Sequence, residues 1–216
     1  MPGRSPGEDS ASRDPPPKHD RRDAALRLDL LTENRFPSIW IPSTELRDLR
    51  ALVLHRHQWV RMRTRIMNTL QGVALSQGLR RRAALWNRAG QAMLASLPLP
   101  PHAGDHRSEL QALCAHLTTH IEELDERVSA QARERPQASR LMTHPGVGPV
   151  TALATEVFLG DPSRFVDAKA LASYVGLIPS EYSRGDRQRL GTLTKQGNPL
   201  LRFLWYEAAI TMSSTE

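Results

Sequence analysis

The residues best suited to chemistry lie in a glycine-containing turn of the C-terminal half. The stretch LMTHPGVGPVTA at 141–152 has the pattern of a helix-hairpin-helix motif. Two glycines let the backbone turn sharply and expose its amides, and Pro149 suits the first turn of a following helix. Exposed amides at a helix N-terminus can hold a DNA phosphate without reading sequence. A plain turn between two helices, with no ligand, is the alternative. The predicted DNA contacts of this turn are Pro145, Gly146, Val147 and Gly148.

Two carboxylates and a serine are further candidate site residues. Asp20 and Asp23 are three residues apart, so a helix would place both on one face, near enough to share a cation. Ser183 lies beside a glycine turn, where it could act as a nucleophile near a DNA backbone. A solvated helix start and a solvated loop serine are the alternatives. The basic residues around and after this serine are further predicted DNA contacts: Arg184, Arg187, Arg189 and Lys195.

The charge of the chain favours a polyanionic partner. The formal net charge is +6, the sequence pI is about 10.2, and only three of the 29 Lys and Arg residues are lysine. Arginine binds phosphates bidentately and stacks on bases, which suits nucleic acid. A GC-rich genome would also favour arginine codons, so both explanations stay open.

Other features exclude several classes of protein. Cys114 is the single cysteine, which excludes an internal disulfide framework and a cysteine-based zinc cluster. The sequence contains no run of about 18 apolar residues that could span a membrane. Its first residues lack the apolar segment of a signal peptide. We therefore predict a cytoplasmic protein that does not bind a membrane.

A long basic helix is predicted from Thr44 to Ser76, with apolar residues recurring every seven positions. Between residues 44 and 90, ten arginines stand against two carboxylates, a local charge of +8. This segment is therefore the positive pole of the chain. Its predicted DNA contacts are Arg61, Arg63 and Arg65.

A second long helix is predicted from His106 to Arg135, after a shorter helical piece at 83–97 and a proline-rich break. Its apolar residues alternate at spacings of four and three, as in a coiled coil. It is acidic, with seven carboxylates against four arginines over 103–136. The two long helices suggest an antiparallel pair, or a stalk that would make a homo-oligomer; an ordinary helical bundle is the alternative. Cys114 lies on the apolar seam, so we interpret it as a core residue.

These elements predict a mainly α fold with three parts. The parts are a disordered N-terminus, a long helical or coiled-coil hairpin, and a compact helical domain that contains the helix-hairpin-helix-like motif. A further helix is predicted at 20–34.

Several separated motifs occur in order along the C-terminal part of the chain. They are PGVGPVTA at 145–152, DPSRF at 161–165, YVGLIPSEYS at 174–183 and LTKQGNPLLR at 193–202. Together these motifs resemble the C-terminal domain of insertion-sequence family 110 transposases. The stretches at 18–31 and 35–70 resemble the end of that family's N-terminal domain and its linking helix.

The resemblance implies a RuvC-like (RNase-H-like) domain with four acidic residues that bind Mg²⁺, a coiled-coil linker, and a C-terminal domain whose serine attacks the DNA phosphate. It also implies a structured guide RNA that selects donor and target DNA. Asp20 and Asp23 match the last two acidic positions, and Ser183 is the candidate nucleophile. The implied domains are 1–18, disordered; 19–43, the remnant of the RuvC-like domain; 44–136, the coiled-coil linker; and 137–216, the C-terminal transposase domain.

Two departures from the family pattern affect the expected activity. The other two acidic residues should lie on upstream strands, which residues 1–17 cannot form, so we expect a truncated catalytic domain. Arg184 occupies the serine position of the family, and Ser183 lies one residue earlier. We therefore expect a DNA transposition or recombination protein of an insertion sequence with incomplete catalysis, which binds Mg²⁺ only if the acidic site is completed. The alternatives are a non-catalytic nucleic-acid-binding module and a helical oligomerisation module.

Overall fold

The computed structural model describes four stretches of the chain: 20–35, 39–80, 83–182 and 189–214. The chain divides into two compact units. The first unit, Met1–Ile41, contains α1 (Asp20–Thr32), where a helix was predicted. Leu28 and Leu31, on the predicted apolar face of α1, are exposed. The disorder predicted for 1–18 concerns positions outside the described residues.

The second unit, Pro42–Glu216, is mainly α-helical, which confirms the predicted fold class. A short antiparallel ladder of β1 (Pro179–Glu181) and β2 (Leu190–Leu193) accompanies the helices. Short 3-10 turns lie at Ala83–Trp86 and Pro162–Arg164. No described helix has both the length and the apolar character needed to cross a bilayer. The helices are α2 (Thr44–Ser76), α3 (Arg88–Ala95), α4 (Pro101–Glu134), α5 (Pro136–Leu141), α6 (Pro149–Leu159), α7 (Ala168–Val175) and α8 (Pro199–Ser213).

The bounds of α2 agree with the prediction. Ser43 caps its N-terminus, because the side-chain oxygen accepts a hydrogen bond from the amide of Leu46 at 3.2 Å. Only part of the seven-residue apolar repeat is buried: Val53 is fully buried, whereas Val60 and Met67 are partly exposed. The face of α2 that carries Val60 therefore contributes to a surface as well as to the core.

The start of α4 differs from the prediction. The predicted first residue, His106, was wrong, because the helix begins at Pro101. Proline suits this position since its φ already fits a helix and its missing amide would have no partner there. The end at Glu134 agrees with the prediction to one residue.

The two long helices form an antiparallel pair within one chain. Leu49 and Val53, near the start of α2, share a core with Val128, near the end of α4. Leu70, near the end of α2, lies in a second buried cluster, and Cys114 in the first half of α4 packs against it. Cys114 therefore lies on the seam, as predicted, at a partly buried position.

The C-terminal helices pack on one end of this pair, so that α2, α4, α6 and α8 share the main core. The Nε atom of Arg50 on α2 donates a hydrogen bond to the carbonyl oxygen of Val157 on α6, at 2.6 Å. Arg135, just after α4, pairs with the Glu156 carboxylate of α6 at 3.0 Å. These contacts hold α2 and the end of α4 against α6.

Candidate nucleic-acid interface

A groove of about 1000 Å³ lies between α2, the first turn of α6 and the start of α8. Among the described residues that line it, three are arginines and none is a carboxylate. A concave surface that carries one sign of charge attracts ligands of the opposite sign. The polar lining residues from α2 include Arg56, His57, Gln58, Arg61, Arg65 and Asn68.

Two of the predicted DNA contacts lie on this groove. Arg61 and Arg65 are four residues apart on α2, so they share one face of the helix. Both side chains are exposed. Guanidinium groups bind phosphate oxygens through charged hydrogen bonds, often in pairs. These two arginines can therefore contact the backbone of a nucleic acid.

Arg56 and His57 complete the polar wall of the groove. Arg56 makes two hydrogen bonds to Asp125 of α4, at 2.7 and 3.2 Å, which fixes its guanidinium group. Burial lowers the pKa of the His57 imidazole, and the positive charges of Arg61 and Arg56 lower it further. His57 is therefore mostly neutral at pH 7, when no anion lies beside it.

The opposite wall of the groove is apolar. It consists of Val150 from the first turn of α6 and Leu200, Phe203 and Leu204 from α8. Leu200 is buried, whereas Phe203 keeps 51% of its surface exposed. The side of the groove formed by α6 and α8 is therefore hydrocarbon, whereas the α2 side combines cationic and polar groups with some apolar side chains.

The predicted helix-hairpin-helix segment is a turn between α5 and α6, and its geometry is compatible with that motif. Gly146 has a left-handed φ of 77°, and a Cβ atom there would lie 2.6 Å from the carbonyl oxygen of Ala208 on α8. Gly148 forms the N-terminus of α6, where a Cβ atom would meet open space. Val147 is half-buried against the main core, as expected for the anchor of the turn.

The turn precedes the part of α6 that borders the groove. Pro145 and Gly148 are exposed, but Val150 in the first turn of α6 is the residue of this segment that lines the groove. The N-terminal end of a helix carries amides without helical partners and a partial positive charge. The first turn of α6 therefore borders the groove that the basic face of α2 lines.

Other predicted contacts lie elsewhere. Arg63 is partly buried on the side of α2 that faces α4, close to Cys114. Burial raises the pKa of the Cys114 thiol, and the positive charge of Arg63 offsets part of that rise. Arg189 and Lys195 are exposed in the segment before α8, and neither is a lining residue of the groove. Lys195 has a left-handed φ of 54°.

A second cavity, of about 610 Å³, lies between α5, α6, α7 and α8. Its lining includes the carboxylates of Glu156 and Asp167 as well as Arg140 and the Trp205 ring. This mixture of charges does not favour a polyanion. The groove along α2 is therefore the better candidate for a nucleic-acid interface.

Comparison with known proteins identifies the family. Residues 138–216 match the family described as "Transposase IS116/IS110/IS902 family". The chain is 29% identical over 202 residues to a Pseudomonas aeruginosa protein named "Probable family 20 transposase". It is 28% identical over 196 residues to the transposase for insertion sequence element IS1111A of Coxiella burnetii. Residues 138–216 therefore belong to the IS116/IS110/IS902 family of transposases.

The chain is also 29% identical over 186 residues to the transposase for insertion sequence element IS1328 of Yersinia enterocolitica. The three alignments cover 89%, 89% and 80% of this chain, but 58%, 54% and 53% of the relatives. The chain therefore spans about half the length of the curated transposases that it matches.

The predicted catalytic residues of this transposase-family chain fall largely outside the groove and the described side chains. Asp23 is exposed on α1, and only the helical backbone is described at Asp20. Ser183, Arg184 and Arg187 lie outside the described residues, between β1 and β2. Within the described stretches, no group of three or more His, Cys, Asp or Glu residues could hold a metal ion. The Mg²⁺ site at Asp20 and Asp23 stays a prediction that rests on the resemblance.

Sequence reasoning missed the apolar wall of the groove. Val150 and Phe203 were not predicted as contacts, because nothing in the local pattern shows that α8 lies opposite α2. The available signal was the aromatic residue itself, because Phe203 is exposed although it lies beside the buried Leu200 and the partly buried Leu204.

Proposed function

We propose that this chain binds the nucleic acid on which transposition acts, and that the groove along α2 contacts its phosphate backbone. The observation that carries the proposal is that Arg61 and Arg65 line one groove, bordered by the first turn of α6, whose described lining contains no carboxylate. Guanidinium groups and helix N-terminal amides are both common phosphate ligands. The names of the relatives, transposases for insertion sequence elements, support DNA as the polyanion.

Two sets of phosphate contacts follow from this proposal. Arg61 and Arg65 bind the backbone along α2, and the turn at 145–148 binds it at the end of the groove. The basic segment with Arg184, Arg187, Arg189 and Lys195 is a further proposed contact region. Phosphate contacts position a strand without reading its sequence. Selection of a target would then come from a guide RNA, the second polyanion that the resemblance implies.

The test measures the affinity for duplex DNA as a function of salt. Each phosphate neutralised by arginine releases counterions, so the binding constant should fall steeply between about 50 and 200 mM salt. Replacing Arg61 and Arg65 together by glutamine should weaken binding and reduce the slope of log K against log salt by about two. Fluorescence anisotropy of a labelled duplex supplies both quantities.

A matched control is available on α4. Arg127 and Arg133 are exposed on that helix and do not line the groove, so the Arg127→Gln/Arg133→Gln variant changes the net charge equally. The proposal requires the groove variant to lose more affinity than this control. Binding that does not respond to salt, or an equal loss in both variants, would contradict it.

Catalysis of transposition by the whole protein is part of the same proposal. In it, Asp20 and Asp23 bind Mg²⁺ and Ser183 attacks the DNA phosphate, as the family pattern implies. A chain active on supercoiled DNA with Mg²⁺ would form a covalent protein–DNA adduct that Ser183→Ala abolishes. If no adduct forms while DNA still binds, the chain acts as a binding module.

We further propose that the protein is cytoplasmic and forms a homo-oligomer. The predicted coiled-coil seam is already used within the chain, because Leu117 and Ile121 of α4 are buried. Self-association would therefore use another surface, such as the one around the exposed Leu113. Sedimentation at micromolar concentration would show a monomer if this part of the proposal is wrong.

A further inference from the structure

The two walls of the groove differ in a way that phosphate binding alone does not explain. The α2 wall offers charge and hydrogen bonds beside a few apolar side chains, whereas the lining from α6 and α8 consists only of Val150, Leu200, Phe203 and Leu204. The outside of a duplex, the part that a concave groove can receive, is sugar and phosphate, because the bases are stacked inside. Such a surface would leave the apolar wall without a matching partner.

The apolar wall differs from an ordinary hydrophobic core because its residue Phe203 is exposed. Its neighbours Leu200 and Leu204 are buried or partly buried, but 51% of the Phe203 surface is exposed. Met62, which lines the groove from the α2 side, is 54% exposed. An aromatic face beside arginines suits a nucleobase, since base–aromatic stacking is favourable for every base and cationic side chains hold the backbone.

An unpaired strand has two unlike edges, and the groove has two unlike walls. The phosphates of such a strand can follow Arg61 and Arg65, while its bases turn towards the opposite side. Each base that packs against hydrocarbon or an aromatic ring is removed from water, and this contact is favourable. A duplex can supply only the first of these two contacts.

We infer that the groove holds a single-stranded segment of nucleic acid, with its phosphates at Arg61 and Arg65 and a base stacked on Phe203. This inference rests on the proposed function and narrows the ligand from nucleic acid in general to an unpaired strand. The stacking is tolerant of sequence, because every base offers a π face.

The test compares three oligonucleotides of one length on the full 216-residue chain. They are a single strand of mixed sequence, the same strand with abasic sugars at its central positions, and the strand paired with its complement. The intact and abasic strands carry the same phosphates, so any difference between them reports the bases. The intact strand should bind about tenfold more tightly than the abasic strand, the size of effect expected from stacking of one base.

Substitutions at Phe203 test whether this ring causes the difference in affinity between the intact and abasic strands. Phe203→Leu keeps an apolar side chain but removes the ring, so it should lower the affinity for the intact strand to that of the abasic strand. Affinities for the abasic strand and the duplex should stay unchanged. Phe203→Tyr keeps the ring and should keep the preference. Tyr206→Leu is the matched control, because Tyr206 is 60% exposed on the same helix and is not a lining residue of the groove.

Three outcomes would overturn the inference. The first is equal affinity of the unmodified chain for intact and abasic strands, a comparison that needs no variant. The second is an equal loss for all three oligonucleotides in a folded Phe203→Leu variant, since the ring would then only support the structure. The third is displacement of the intact strand by an acidic amphipathic peptide that binds more tightly, which would assign the groove to a protein partner.

The proposed function fails under different conditions. If Arg61→Gln/Arg65→Gln weakens the binding of all three oligonucleotides, phosphate binding in the groove stands even when stacking on Phe203 fails. If that double variant leaves all three affinities unchanged, the proposed function itself is wrong.

Discussion

The inner face of α2, which packs against α4 and α6, and its groove face both carry arginines, but these arginines act differently. On the inner face, Arg50 donates hydrogen bonds to carbonyl oxygens at the end of α6, and Arg63 is partly buried beside Cys114. On the groove face, Arg61 and Arg65 are exposed along a concave surface. The local charge of the segment therefore overstates the charge that a polyanion can reach.

The comparison separates stability from binding. Residues on the inner face contribute to the free energy of unfolding, because they pack or form hydrogen bonds within the protein. Exposed arginines on the groove face contribute little to that free energy but can dominate the affinity for a polyanion. Substitutions on the two faces should therefore change different measured quantities.

The largest change in the free energy of unfolding is expected when a buried side chain of the inner face is truncated. Leu70 is fully buried between α2, α3 and α4, so Leu70→Ala should lower the free energy of unfolding by about 2–5 kcal/mol. Urea denaturation measures this change. Leu75→Ala, at an exposed position of the same helix, is the control and should change stability by about 0.5 kcal/mol or less. Similar losses in both variants would mean that the inner face is not packed as described.

The next effect concerns the turn that places α6 at the groove. Gly146→Ala introduces a Cβ atom 2.6 Å from a backbone oxygen of α8, at a left-handed φ. We expect a loss of about 1–3 kcal/mol, seen in urea or thermal unfolding. Gly148→Ala is the matched control, since its Cβ atom meets open space and φ is −85°. If Gly148→Ala destabilises the protein as much as Gly146→Ala, close packing against α8 does not explain the glycine.

The extent to which the sequence predicts this fold depends on how local each signal is. The bounds of α2 and the apolar seam of α4 were predictable, because capping and helical periodicity act within a few residues. The start of α4 was missed because Pro101 belongs both to a proline-rich break and to a favourable first turn of a helix. Only the packing of the chain that follows decides between these two roles.

The candidate site was predictable in part. Arg61 and Arg65 are separated by about one helical turn, whereas Arg63 lies on the other side of the helix, so periodicity alone could have separated them. The pairing of α2 with α8 across a groove joins segments far apart in sequence. No local pattern shows that Phe203 lines the same groove as these arginines, because that depends on how the chain packs.

A smaller effect is expected at the edge between the two faces. Arg56 lines the groove and also binds Asp125 of α4 at 2.7 Å. Asp125→Asn should lower the free energy of unfolding by about 1 kcal/mol or less, because the pair is partly exposed. It should not weaken the binding of nucleic acid. Arg61→Gln should weaken the binding of nucleic acid and leave the free energy of unfolding nearly unchanged. Thermal unfolding and anisotropy on both variants check this; weaker DNA binding by Asp125→Asn would mean that the ion pair positions Arg56 for the ligand.

The smallest effect is a pH dependence at His57. Burial and then the charges of Arg61 and Arg56 lower its pKa from 6.5, so the unfolded chain binds the proton more readily than the folded one. The contribution of His57 to the free energy of unfolding is therefore highest when the pH is above 6.5, and it falls as the pH drops below 6.5 and the unfolded chain takes up the proton. A phosphate beside the imidazole would favour the charged form, so binding should take up a proton and strengthen on acidification.

Between about pH 7.5 and 5.5, the range in which histidine titrates, the affinity should rise by about threefold more in the unmodified chain than in His57→Gln. Anisotropy at constant ionic strength measures both profiles, and His102→Gln, at an exposed position outside the groove lining, serves as the control. A His57→Gln profile as steep as that of the unmodified chain would show that the proton is taken up elsewhere. A flattened profile would place the bound phosphate near His57, and therefore on the groove face of α2 rather than on the inner face.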